Sequence, residues 1–228
     1  MLHCVVYKKK RHWPPEEFVS EIAYAKKQHG GRPDKRGQIV AAARKLFLEN
    51  GYGATSMDAI ADEANVSKRT VYSHFQNKEN LFGALITVMC ESMGGPRAAL
   101  ATDQPPEKVL TAYGRRILNI VLNPEALAVF RVVLSESPQF PEISQMFCSS
   151  GPDPMCAFLS GYLAELDAAG TLEIGDPKIA AEQFINMVKG PFFTSLLFGV
   201  GEPPSEAEAE RALDQAVSIF LKGVQPAG

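Results

Sequence analysis

Apolar residues recur three and four positions apart along most of the chain, and they do not alternate with polar residues. This spacing is typical of one face of a helix, whereas a half-buried strand needs alternation. Asn123-Pro124, Asp153-Pro154 and Asp176-Pro177 each set a capping side chain before a proline that fits the first helical position, so each pair predicts a helix start. Ser205 and Glu208 have the spacing of a capping box and predict the start of the last helix.

These signals predict an all-α fold in which Gly51, Gly170 and Gly223 end helices. The predicted helices span residues 38–50, 57–63, 67–74, 78–94, 106–121, 124–136, 141–149, 154–169, 177–198 and 205–222. We predict three segments: a basic N-terminal extension over residues 1–33, a small helical domain over 34–94 and a larger helical domain over 95–228.

Charge divides the chain near residue 82. Residues 1–82 carry 14 lysines and arginines against 9 aspartates and glutamates, whereas residues 83–228 carry 9 against 17. The basic part is the one that would face a polyanion, although segments also differ in charge by chance. The extension over 1–33 contains Lys8-Lys9-Lys10-Arg11 and a predicted short helix at 16–27. It is either an arm that adds phosphate contacts or an extension without a specific role.

The cysteines and the hydropathy pattern bear on the compartment. Cys4, Cys90, Cys148 and Cys156 form no CxxC pair and have no histidine at metal-ligand spacing, which favours a reducing cytoplasm and no metal site. No apolar run reaches the roughly 18 residues of a membrane span, and the N-terminus becomes basic before any stretch of signal-peptide length. We therefore expect a cytoplasmic protein that does not enter a membrane.

The sequence lacks the usual catalytic constellations. The four histidines, His3, His12, His29 and His74, all precede residue 75, so the acidic part of the chain has none for general acid-base catalysis. It also contains no nucleotide-binding loop and no nucleophile triad. We therefore expect a protein that is not an enzyme and needs no cofactor.

Residues 57–76 have the pattern of a helix-turn-helix. Thr55 predicts the cap of its first helix, with Asp58 in the capping-box position. Asn65 tolerates a positive φ at the turn, Val66 fills the angle between the helices, and Ser67 caps the second helix. A short helix, a three-residue turn and a second short helix form the geometry that places a recognition helix in the major groove of DNA.

The second helix of this pair has two faces. Val71 and Phe75, four positions apart, anchor it to a core and leave the remaining side chains on the surface. Cationic and hydroxyl side chains near its start suit base edges, and polar side chains at its flank suit phosphates. The predicted DNA contacts are Lys68, Arg69 and Thr70 to bases, Tyr72, His74 and Lys78 to phosphates, and Thr55, Ser56 and Ser73 beside them.

Residues 35–82 resemble, without a gap, the TetR (TetR/AcrR) family of bacterial transcriptional regulators. The resemblance is carried by Gly51-Tyr52-x-Ala54-Thr55-Ser56-Met57-x-x-Ile60-Ala61, Val66-Ser67-Lys68-x-Thr70-Val71-Tyr72-x-His74-Phe75 and Lys78-x-x-Leu81. Asn65 stands where glycine is common and tolerates the same backbone angles, and Arg69 replaces a frequent small residue, which points to operator choice. The resemblance implies that a fourth helix joins this DNA-binding part to a larger domain for ligand binding and dimerisation.

The C-terminal part is similar to an AefR-like subgroup of the family through Phe130-Arg131-Val132-Val133 to Phe140-Pro141 and through Met187 to Phe193. The predicted ligand pocket comprises Phe130, Arg131, Leu134, Met187, Phe192 and Leu196, although apolar residues at helical spacing are more often ordinary core. Arg131 and Glu136 would form either a structural pair or a pair that orients a ligand. The helices at 177–198 and 205–222 resemble the family's dimerisation pair, and packing within one chain is the alternative.

The residues and the resemblance together indicate a homodimeric regulator that binds a palindromic double-stranded DNA operator. We expect a sequence-specific repressor that a small apolar effector of unknown identity releases from its operator. One alternative is a ligand-independent, nucleoid-type DNA-binding protein. Another is an enzyme or carrier with a helical fold, which the missing catalytic groups disfavour.

Overall fold

The computed structural model describes residues 34–92, 100 and 102–226, and that part of the chain forms ten helices. They are α1 (Lys35–Asn50), α2 (Met57–Glu63), α3 (Lys68–His74), α4 (Lys78–Ser92), α5 (Pro106–Val121), α6 (Pro124–Glu136), α7 (Pro141–Ser150), α8 (Pro152–Ala168), α9 (Pro177–Leu197) and α10 (Glu206–Gly223). The described residues contain no strand, so the predicted all-α class is confirmed. The extension over 1–33, its predicted helix and the predicted boundary at residues 94–95 lie outside the described residues.

Side-chain caps determine where several helices begin. Asn123 accepts backbone hydrogen bonds at the start of α6, and Asp176 does so at the start of α9, as predicted. Ser205 and Glu208 form the predicted capping box of α10, because each side chain accepts the backbone N–H of the other residue. The start predicted at Asp153 is wrong: α8 begins before it, directly after α7, and no side chain caps that end.

The helix predicted as continuous over 177–198 has a bend. Within α9, Gly190 has φ 51° and ψ −154°, which lies outside the helical region and is open to glycine. Pro191 follows it, and a proline both disfavours the helical conformation of the preceding residue and lacks an N–H to donate. The Gly-Pro pair therefore bends the helix, although the apolar spacing runs through it.

Two clusters of buried side chains form the interior. The first joins α1–α4 to α6 and α7, and includes Phe47, Leu81, Val133 and Ile143. The second joins α5, α8, α9 and α10. From Lys35 onward the described residues cluster as one compact unit. The head, formed by α1–α4, therefore shares its core with α6 and α7.

Within the described ranges, no single helix is long and apolar enough to cross a membrane. Together α5 and α6 reach that length and composition, but they meet at a bend of 65°.

Candidate DNA-binding surface and effector cavity

The helix-turn-helix consists of α2, the turn over residues 64–67, and α3. Ser56 caps α2, because its hydroxyl accepts a hydrogen bond from the Ala59 N–H at 3.1 Å. The Thr55 hydroxyl instead lies 3.1 and 2.8 Å from the carbonyl oxygens of Leu46 and Gly51. Thr55 is only 3% exposed. The prediction that Thr55 caps α2 and contacts DNA is therefore corrected: its side chain stabilises the end of α1.

The turn between α2 and α3 has the predicted backbone. Asn65 has a φ of 52°, a positive value that asparagine tolerates. The Val66 N–H donates to the Ala61 carbonyl at 3.0 Å, and the Val66 side chain packs against the first core. Ser67 caps α3 by accepting a hydrogen bond from the Thr70 N–H at 3.1 Å. These contacts confirm the predicted turn and cap.

The α3 helix presents a polar surface to solvent. Val71 and Phe75 are 0% and 4% exposed, which confirms them as the anchors of α3 to the core. The exposed side chains of α3 are Lys68, Arg69, Tyr72, Ser73 and His74, while Thr70 is half-buried. Ser56, at the start of α2, is also exposed. These side chains are accessible to DNA, and their contacts with it remain predictions.

Some of these side chains have partners within the head. Lys68 forms an ion pair with Asp58 of α2 at 2.5 Å, and this hydrogen bond raises the pKa of Lys68. The hydroxyls of Thr70 and Ser67 lie 2.8 Å apart. Arg69 forms no ion pair with another described residue, so its guanidinium is free to meet an external anion.

Arg36 adds a cation near α3 that the sequence prediction missed. It lies in the first turn of α1, is exposed, and its guanidinium carbon is 5.3 Å from the centroid of the Phe75 ring. This contact places a positive charge beside the end of α3. Because it joins two helices that are separate in sequence, no local pattern indicates it.

Lys78, which the sequence analysis assigned to a phosphate contact, binds backbone carbonyl groups of the head. At the start of α4 its ammonium donates to the carbonyl oxygens of Tyr52 at 2.8 Å and Thr55 at 3.0 Å, and that of Gly53 is 3.5 Å away. It also lies 4.3 Å from the centroid of the Tyr52 ring. Lys78 is half-buried, and burial lowers its pKa. Lys78 therefore ties the α1–α2 turn, residues 51–55, to α4, and its contact with a phosphate stays a prediction.

The end of α6 and the residue before α7 also hold the α1–α2 turn. A carboxylate oxygen of Glu136 accepts the Gly53 N–H at 2.9 Å, and the ring centroids of Phe140 and Tyr52 are 5.6 Å apart. A Cβ at Gly53 would lie 2.7 Å from the Phe140 ring, so this approach needs a glycine. The turn that precedes the helix-turn-helix is therefore fixed by both α4 and the α6–α7 corner.

Two arginines connect other helices. Arg44 of α1 pairs with Glu125 of α6 at 3.0 Å, which adds a second link between the head and α6. Arg131 donates to the carbonyl oxygens of the last two residues of α9 at 2.5 and 2.9 Å. The predicted Arg131–Glu136 pair is wrong in both of its forms, because Arg131 stabilises the end of α9 and Glu136 binds the α1–α2 turn.

An apolar cavity of about 110 Å³ lies among helices α4 to α9. Met89 and Cys90 of α4, Phe130 of α6, Phe147 of α7 and Lys189 of α9 are among its lining residues. Pockets for drug-sized ligands usually measure roughly 300–1,000 Å³, so a ligand of that size would have to widen this cavity.

Phe130 is the predicted pocket residue that lines this cavity. The other five, Arg131, Leu134, Met187, Phe192 and Leu196, do not line it. Leu134 is 56% exposed, and Met187 lines a separate depression of about 350 Å³ between α9 and α10. The prediction treated α9 as a straight stripe, whereas the bend at Gly190 changes the direction of the residues that follow.

Lys189 is a cavity residue that the sequence prediction missed. Its ammonium lies 3.5 Å from the side-chain oxygen of Asn186 and 5.7 Å from the centroid of the Phe193 ring. Burial lowers the pKa of Lys189. No carboxylate of the described residues lies within ion-pair distance of it. Lysines on helices are usually exposed, so the sequence pattern alone did not indicate this position.

Comparison with known proteins gives matches in both parts of the chain. Residues 39–85 match the family described as "Bacterial regulatory proteins, tetR family", and residues 108–223 match "AefR-like transcriptional repressor, C-terminal domain". The chain is 25% identical over 193 residues to YvkB, an uncharacterised helix-turn-helix-type transcriptional regulator of Bacillus subtilis (strain 168), with 85% of this chain and 98% of that protein covered.

Two further proteins match to different extents. The helix-turn-helix-type transcriptional activator FasR of Mycolicibacterium smegmatis is 42% identical over 72 residues, which are 31% of this chain and 33% of FasR. Among solved structures, the "Flavonoid-responsive Regulator FrrA" superposes with a TM-score of 0.73 at 35% identity, with 85% of this chain and 98% of FrrA covered. The similarity to FrrA and YvkB therefore extends through both parts of the chain, whereas that to FasR is confined to a shorter stretch.

Proposed function

Since the chain belongs to the TetR family of bacterial transcriptional regulators, we propose that it is a one-component repressor that a small molecule releases from its operator in the cytoplasm. The observation that carries this proposal is the position of the apolar cavity. Its lining includes α4, which follows the helix-turn-helix, and α6, whose last residue holds the α1–α2 turn. The C-terminal match is described as a repressor and supports this direction of regulation, although FasR is called an activator.

In this proposal α3 is the recognition helix. Arg69 and Thr70 contact base edges, while Tyr72 and His74 contact phosphates at the flank. Lys68 reaches DNA by exchanging its exposed ion pair with Asp58 for a phosphate or a base, an exchange between charged groups in water that costs little. Two heads occupy half-sites about 34 Å, or one turn of DNA, apart, because a two-fold operator needs a two-fold protein.

The homodimer is proposed to form through α9 and α10. Ile179 and Ile219 are 52% and 53% exposed, and both border the depression that Met187 lines between these helices. Neighbouring exposed apolar side chains are typical of surfaces that a partner covers. Gel filtration with light scattering should give twice the 24.8 kDa mass of one chain. A monomer at micromolar concentration would contradict the proposed operator geometry.

The effector would act by widening the cavity. Because α4, α6 and α7 form part of its lining, a ligand too large for 110 Å³ can enter by displacing one or more of them. Glu136 and Phe140 would carry that displacement to the α1–α2 turn, and the heads would then occupy positions that no longer match the operator. A coupling free energy of about 1–3 kcal/mol between effector and DNA is typical of such regulators.

The aromatic side chains at the cavity favour an effector that contains a ring. The ring centroid of Phe130 lies 4.7 Å from that of Phe147 and 5.0 Å from that of Phe193, and Phe130 and Phe147 line the cavity. FrrA is named as responsive to flavonoids, and it shares 35% identity with this chain.

Selection of bound sequences from random DNA, followed by footprinting on the selected site, tests the proposal. We expect one short, two-fold symmetric footprint that shrinks or disappears when a suitable aromatic compound is added. A diffuse footprint that no compound changes would instead favour the ligand-independent, nucleoid-type protein.

A further inference from the structure

Lys189 is the basic residue in an otherwise apolar cavity lining. The other residues around this cavity are aliphatic, aromatic or sulfur-containing, and include Ile117, Phe130 and Met155. Lys189 lies on α9, directly before the bend at Gly190. A positive charge at this position is unusual, because a cavity built only for an apolar molecule needs none.

Two other half-buried cations, Arg44 and Lys78, have strong partners within the fold. Arg44 pairs with a carboxylate at 3.0 Å, and Lys78 donates to two carbonyl oxygens at 3.0 Å or less. Lys189 has the Asn186 oxygen at 3.5 Å, the upper limit of a hydrogen bond, and the Phe193 ring at 5.7 Å. No described carboxylate lies within ion-pair distance of it.

Removing an ammonium group from water is costly unless an anion or several acceptors replace the lost hydration. The weak partners of Lys189 do not supply that replacement. Burial accordingly lowers its pKa, and the nearby Cys156 opposes the shift. A cation that the fold leaves without an anion, and that borders a cavity, is the complement of an anionic group on a ligand.

We propose that Lys189 binds the acidic group of the effector, which is therefore an amphipathic oxygen acid, a carboxylate or phenolate, whose apolar body occupies the cavity. This inference rests on the proposed function, because it takes the cavity as the effector site. It replaces the purely apolar effector expected from the sequence. The position of Lys189 beside the bend also lets the bound acid act on α9, the helix proposed to form the dimer.

Calorimetric titration of the full-length protein with naphthoate and with its neutral isostere naphthamide tests the charge requirement. We expect the wild type to bind naphthoate about 10- to 100-fold more tightly, because a hydrogen-bonded ion pair at a half-buried site has about that effect on affinity. Lys189→Met should remove this preference and leave naphthamide binding unchanged or tighter. Lys189→Arg should retain most of it. A parallel titration with naphthol distinguishes a phenol from a carboxylate as the preferred acid.

Two controls separate ligand recognition from folding. Lys178→Met changes a lysine on the same helix whose side chain is 77% exposed, and it should leave the preference for naphthoate intact. Thermal unfolding without ligand should show Lys189→Met to be at least as stable as the wild type, because the substitution removes an unpaired half-buried charge. Lys189→Met should also retain its affinity for DNA.

The outcomes distinguish this inference from the proposed function. Equal binding of naphthoate and naphthamide by the wild type would overturn the role of Lys189 and leave an apolar effector site in place. A preference for naphthoate that survives Lys189→Met would also overturn it. If neither compound binds the wild type, both the inference and the cavity as effector site fail, while DNA binding, measured separately, still stands.

Discussion

Replacing Lys78 with methionine removes the ammonium that holds the carbonyl oxygens of Tyr52 and Thr55, and we expect it to destabilise the protein. A hydrogen bond to a charged group contributes about 1.5–3 kcal/mol, and Lys78 makes two at 3.0 Å or less in addition to its contact with the Tyr52 ring. The cost of burying the ammonium offsets part of this. We estimate a loss of about 2–4 kcal/mol, which lowers Tm by roughly 5–15 °C for a chain of this size.

Thermal unfolding followed by circular dichroism, at a fixed protein concentration, measures this change. Lys45→Met is the matched control on the surface of the head. Lys45 forms an exposed ion pair with Glu63, so its replacement should change Tm very little. Both variants remove one positive charge, which isolates the effect of the buried contacts.

The salt dependence of DNA binding then separates a structural role of Lys78 from a phosphate contact. The plot of log affinity against log salt concentration has a negative slope, and loss of one phosphate contact reduces the magnitude of that slope by about 1. We expect Lys78→Met to leave that slope unchanged in the folded protein, because its ammonium is occupied by backbone carbonyls. An unchanged Tm combined with a slope smaller by about 1 would refute this reasoning and restore the phosphate contact.

The remaining predictions concern the recognition helix and the α6–α7 corner. Arg69→Ala should change the preference among operator variants, whereas Tyr72→Ala should weaken binding to all of them; equal effects of both on every sequence in a binding titration would contradict the assigned roles. Glu136→Ala leaves the Gly53 N–H without its acceptor and should cost about 1–3 kcal/mol, or roughly 2–10 °C in Tm. Glu136→Gln, which keeps an acceptor, should cost less, and hydrogen exchange at Gly53 should be faster in the alanine variant than in the glutamine variant.

The helices of the head and its main anchors could be predicted because their signals are local. Ser67 caps α3 through a backbone group three residues away, and the positive φ of Asn65 depends on the turn itself. Val71 and Phe75 occupy one face of α3 because they are four positions apart. In each case the interacting groups lie within about one helical turn, so the sequence alone contains the information.

The other site residues could not be assigned because their partners come from distant parts of the chain. A lysine at the start of a helix, such as Lys78, fits a phosphate and a backbone carbonyl equally well in sequence. Only the folded position of the α1–α2 turn decides between them. Thr55 and Ser56 can both cap α2, and the approach of α1 selects Ser56 by engaging the Thr55 hydroxyl. The bend at Gly190 similarly changes the direction of the later residues of α9, and Phe192 and Leu196 do not line the cavity.

The shared core links the α6–α7 corner to the proposed recognition helix, α3. Val133 of α6 and Ile143 of α7 are buried in the same cluster as Phe47 of α1, so these helices do not form an independent layer. Protein interiors are close-packed, and a displacement of α6 or α7 must therefore be accommodated by the head. The hydrogen bond between Glu136 and the Gly53 N–H adds a directional contact at the turn before α2. An effector bound in the cavity, as proposed, would therefore act on the head through two packed routes, α4 and the α6–α7 corner. The second route reaches the helix-turn-helix without passing through α4.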